Sequence, residues 1–129
     1  MNIIKYLLVS LFLLGFAPQN KKSENIRFII IEAECKPGFS ALPDIKEKVI
    51  ITKVWKEEFE NAFAVVNAEP DLVTDFEVAL EKDYPHQLNQ IEDILVYMLN
   101  TEKEAKALYK RKLGLFKSLE KGVIELKVK

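Results

Sequence analysis

With one cysteine, Cys35, in 129 residues, the chain cannot close an internal disulfide, so its fold has to be held by its core. The single histidine, His86, leaves only one thiol and imidazole couple for nucleophilic catalysis. Glycine is scarce as well. The four glycines stand at positions 15, 38, 114 and 122, which rules out a phosphate-cradling loop and the usual nucleotide cofactors. Histidine, cysteine and carboxylate groups at metal-ligand spacing are missing, so neither a metal nor another cofactor is expected. Acidic pairs such as Glu32 with Glu34, or Glu92 with Asp93 near His86, would have to be brought to a cation by folding alone; they are expected on solvated faces. Ser40 lacks the glycine pattern of a serine hydrolase. Basic blocks are absent too: 19 lysines and arginines stand against 20 acids, interleaved along the surface faces, and nucleic acid is not an expected partner.

The chain does have the balance of an ordinary globule, 49% hydrophobic and 30% charged. Its opening, "MNIIKYLLVSLFLLGFAPQNKK", places Lys5 before an apolar run from Tyr6 to Ala17 and then turns polar. This is the layout of a secretory signal over residues 1–17, with Gly15 and Ala17 as the small residues before a cut. Pro18 is an awkward residue after such a cut, which leaves the site open by a few positions, and an uncleaved anchor is the competing reading. Twelve residues are too few for a helical membrane span, which needs about 20. Removal of residues 1–17 takes away Lys5 and no acid, leaving 18 basic against 20 acidic side chains. Residues 18–25 read as a flexible leader and 26–129 as one domain, exported to a periplasmic or extracellular location, without a stable membrane span once the signal is gone.

Periodicity predicts the elements. "IRFIIIEAEC" alternates as a strand, with Arg27, Ile29, Ile31, Ala33 and Cys35 on one face, and with Glu32 and Glu34 on the other, assigned to water. Pro37 and Gly38 end it. A second strand is expected from Val49 to Trp55. Residues 57–67 fit helix and strand equally. Pro70 at a first turn, with Leu72, Phe76, Ala79 and Leu80 on one face, predicts a helix. Ile94–Leu99 reads as a buried strand; the alternative runs one helix through residues 85–100. Thr101 and Glu104 form a capping box for a helix with Ala105, Leu108, Tyr109, Leu113 and Phe116 on its apolar face. "VIELKVK" closes as a strand with Ile124, Leu126 and Val128 inward. A faint match of residues 63–80 to 96–113 would make the middle segment a strand if it were a true repeat.

These elements imply an α+β fold: a mixed sheet of four or five strands with two or three helices packed mainly on one face. The last third, "NTEKEAKALYKRKL" between two strands, loosely resembles half of a SPOR-type peptidoglycan-binding module through general periodicity, and no site residue is carried over. The expected function is a non-enzymatic binding or interaction domain of the cell envelope, with an unidentified protein or envelope component as its partner. Trp55, which ends a strand before a charged run, is a weak binding candidate at a rim. The alternative is a small exported thiol-dependent enzyme using Cys35 with His86. Against it, Cys35 extends an apolar strand face, where burial raises a thiol's pKa.

Overall fold

A computed structural model of the chain describes residues 25–129. The expected signal over residues 1–17 and nearly all of the leader over 18–25 lie outside the described residues. Strands β1 (Ile26–Cys35), β2 (Lys48–Thr52) and β3 (Trp55–Glu58) are followed by helices α1 (Ala62–Val66) and α2 (Glu69–Asp83). A 3₁₀ turn (Leu88–Gln90), β4 (Ile91–Leu99), α3 (Glu102–Ser118) and β5 (Gly122–Leu126) complete the order. No helix among the described residues is long and apolar enough to cross a membrane.

The arrangement is α+β with a mixed, curled sheet. Its centre is β1, whose isoleucine run leaves Ile29 to Ala33 buried without interruption. Such a run suits a strand covered on both faces. On one side β1 pairs antiparallel with β4. On the other, its C-terminal half pairs with β2 and its N-terminal half with β3, both antiparallel. The single strand expected over Val49–Trp55 is therefore two strands, interrupted at Lys53 and Val54. At that break the buried Thr52 Oγ1 accepts the Ile31 N–H at 2.8 Å, filling the gap in the ladder. Parallel pairing of β5 with β2 completes the sheet.

The helices divide between the two faces, unlike the expectation that they would share one. Leu72, Phe76 and Leu80 of α2 pack with Ile29, Ile31, Ala33, Ile50, Trp55, Ile124 and Leu126. Ala105 and Phe116 of α3 pack with Ile30, Val49 and Ile51, the alternate residues of the same strands. The reason lies in β1 and β2, which are apolar on both faces and need a cover on each. Full burial of each large α2 side chain contributes roughly 1.5–3 kcal/mol. Pro70 stands in the first turn of α2 with Glu69 and Asp71, near the positive end of its dipole. The middle segment resolves as strand through Glu58 and then a short helix, capped by Asn61 Oδ1 on Ala64 N–H at 2.8 Å. Because Ala62–Val66 is helical where Ile94–Leu99 is extended, the faint repeat does not extend to structure.

The β1–β2 connection is tied down by a buried lysine. Lys48, 4% exposed, donates from Nζ to Phe39 O at 2.7 Å and Ala41 O at 3.0 Å. Phe39 is itself buried against Tyr84, ring centroids 5.5 Å apart. Lys48→Met would strand both carbonyls and is expected to cost about 2 kcal/mol, read as a lower urea midpoint with an unchanged slope.

Candidate functional site

The placement of the candidate residues narrows the chemistry. Cys35 closes β1 opposite Lys48 and packs half-buried against the α2-side core. Burial pushes its thiol pKa up to about 11, with the charge of Lys48 a smaller opposing influence. His86 has a side chain 92% exposed, in a left-handed backbone conformation (φ 66°), and its Nδ1 lies 3.9 Å from Glu81 Oε1. Among the described residues no hydrogen bond joins Cys35 to His86. Trp55 is within the core at 5% exposure, not at a rim, and its Nε1 donates to Glu57 Oε1 at 3.0 Å. Its ring offers no surface to a ligand.

Glu32 was expected in water and is buried at 8% exposure beneath α3. Its Oε1 accepts from Tyr97 Oη at 2.8 Å and from Lys112 Nζ at 2.7 Å, and Lys112 also donates to Tyr97 Oη at 2.9 Å. The Lys112 ammonium stands 4.9 Å from the Tyr97 ring centroid. Burial works against its charge, but the bonds to Glu32 and Tyr97 outweigh it and hold Lys112 above the ordinary lysine range. With Tyr109 donating to Glu125, this network fixes α3 across the sheet. Sequence reading missed Lys112, although its spacing from Leu108 and Phe116 places it inside the apolar stripe.

Folding does gather three exposed acids, Glu34, Glu92 and Asp93, with one carboxylate oxygen from each within 4.8 Å of the others. They mark a bulge: the β1–β4 register shifts between Glu32 and Glu34, and Asp93 takes φ 52°. A groove of about 450 Å³ lies between α2 and the chain beyond β5, lined in part by Asp75, Val78, Lys82 and Lys129. Lys129 bridges it to Asp75 at 3.3 Å and to Glu57, so those three charges are paired with one another.

The remaining feature is the free side of β4. Hydrogen-bonding direction alternates along a strand. Since Ile31 N–H turns toward Thr52 and Lys36 N–H donates to Gln90 O, the even-numbered residues of β1 address β4. In the observed register their partners are Leu95, Tyr97 and Leu99. The backbone groups of Ile94, Val96 and Met98 therefore point away from the sheet, and among the described residues they have no partner. The expectation of a buried strand is corrected here. No residue of β4 is fully buried, although Ile94 to Leu99 are all apolar, and Leu95 is 51% exposed. The strand is at an edge because the β1–β2 hairpin takes the other side of β1.

Compared with known proteins, the chain matches no family model, no curated protein and no solved structure.

Proposed function

We propose that the protein is a non-enzymatic binding domain, exported to the cell envelope by its N-terminal leader, and that it engages its partner along the outer edge of β4. The observation that carries this reading is the outward row of Ile94, Val96 and Met98 on an apolar, half-buried strand. An exposed edge of this kind is a template for strand addition, in which main-chain bonds supply affinity and alternate side chains supply selectivity. The two sheet faces are taken by α2 and α3, which leaves the edges as the accessible parts of the sheet. The Cys35 thiol, its pKa pushed up to about 11 by burial, is not set up as a nucleophile at neutral pH. Export rests on the charged, apolar and polar succession of residues 1–22.

A photoreactive amino acid placed at position 95 in source cells, with position 78 on the exposed side of α2 as control, tests the reading. An adduct is expected from 95 and not from 78. No adduct from 95, or equal adducts from both, would refute the edge as the working surface. The mass of the cellular protein checks export independently: loss of roughly the first 17 residues is expected, and an intact leader would contradict it.

A further inference from the structure

Resting on the reading of β4 as the binding edge, we infer that its occupant is a second copy of this chain, paired antiparallel through β4 about Val96 to continue the sheet across a two-fold axis. The charge pattern of the strand selects this partner and this direction. Glu92 and Asp93 occupy the first part of β4, and Ile94 to Leu99 carry no charge. In an antiparallel pair centred on Val96, Ile94 lies opposite Met98 of the second copy, and the outward backbone groups of Ile94, Val96 and Met98 satisfy one another. Asp93 then lies opposite Leu99, and Glu92 opposite Asn100, so no acid meets an acid. A shift of the centre to Tyr97 would put Glu92 opposite Glu102. Parallel in-register stacking would place Glu92 on Glu92 and Asp93 on Asp93, which is unfavourable.

The same pattern favours a closed dimer over an open fibre, because antiparallel pairing of identical edges is isologous and consumes both. The two-fold axis of such a pair is normal to the sheet, so both α3 helices lie on one side. Glu34 lies on that side too, because it alternates with Ile30 and Glu32, which pack beneath α3. Its register partner Glu92 shares the face. The acidic group of each copy therefore comes beside the first turn of α3 in the other. Exposed Lys103 and the positive end of the helix dipole stand there, and of the two acids in that turn Glu102 is engaged by Lys106 at 2.6 Å and Glu104 accepts the Thr101 hydroxyl at 3.0 Å. The left-handed Asp93 bends the strand at its start, which limits flat pairing to the stretch from Ile94 to Met98.

The test is sedimentation velocity on the chain lacking residues 1–17, whose removal leaves every described strand, helix and core residue in place. A concentration-dependent dimer is expected. Val96→Pro removes an outward N–H and no bond to β1, and should weaken the dimer at least about tenfold while the far-ultraviolet circular dichroism is unchanged. Leu95→Lys sets two like charges near the axis and should do the same, and it decides the matter if the proline variant fails to fold. A dimer that survives both substitutions would overturn the inference, since it would have to use another surface. A monomer at every concentration would also overturn it. In that case an adduct from position 95 to a different protein would keep the edge reading, and the absence of any adduct would end both.

Discussion

Lys112→Met should destabilise the protein by about 3 kcal/mol at neutral pH. Glu32 stands in the middle of the central strand, and Lys112 is the cation at its carboxylate, 2.7 Å away. Removing the lysine leaves a charge under α3 with only the Tyr97 hydroxyl for company. Replacing both partners, Glu32→Leu with Lys112→Leu, should recover most of the stability, since an apolar pair of similar volume avoids the desolvation that the ions suffer. Lys112 is held above the ordinary lysine range, so its contribution is complete at neutral pH and is lost as the pH rises through that raised value. Urea titrations of the native protein, the Lys112→Met variant and the double variant at neutral pH read the loss and its recovery; a loss of less than about 0.5 kcal/mol for Lys112→Met would show a solvated surface pair instead.

Alkylation of Cys35 by iodoacetamide near neutral pH should be at least ~100-fold slower in the native protein than in the unfolded chain, because thiolate is the reacting form. A native pKa near 11 against the ordinary value of 9.0 accounts for that factor, and restricted access to a half-buried thiol adds to it. The cause is burial at the end of β1 beside Lys48, whose charge offsets it only in part. The linkage has a definite sign. Between about pH 9 and 11 the unfolded chain gives up its thiol proton while the native one keeps it, so Cys35 lowers stability as pH rises through that window. Native reaction as fast as unfolded would reverse the assignment and bring the thiol-dependent alternative forward.

Much of the fold could be read from local signals. The isoleucine alternation of β1, Pro70 ahead of the Leu72, Phe76 and Leu80 stripe, and Thr101 before Glu104 each place an element where it is found. In the capping box, Thr101 Oγ1 accepts the Glu104 N–H at 3.1 Å as expected, but the glutamate carboxylate meets the threonine hydroxyl and not its amide. What could not be read is what lies against each face. Periodicity tells which residues share a side of a strand, and it does not tell whether a helix will cover that side. Glu32 was sent to water for that reason, although its own neighbours Phe28 and Ile30 are apolar. Ile94–Leu99 reads as a buried strand on composition alone, since an apolar run has the same appearance at an edge and in the middle of a sheet. Only the sheet order, with β2 and β3 together occupying one side of β1, puts β4 outermost. The acids in its first part, Glu92 and Asp93, are the available hint, because charge near a strand end is a common way to restrain an open edge. The candidate site was correspondingly less legible than the fold: Cys35, His86 and Trp55 could be weighed by residue type, whereas a row of backbone groups has no sequence signature.

Residue-resolved amide hydrogen exchange across β4, measured at low and high protein concentration, tests the edge most directly. The amides of Leu95, Tyr97 and Leu99, which face β1, should be protected at both concentrations, and those of Ile94, Val96 and Met98 should gain protection as concentration rises. Outward amides that exchange freely at every concentration would contradict pairing of β4 with a second copy, and protection of all six at the lowest concentration would contradict an open edge.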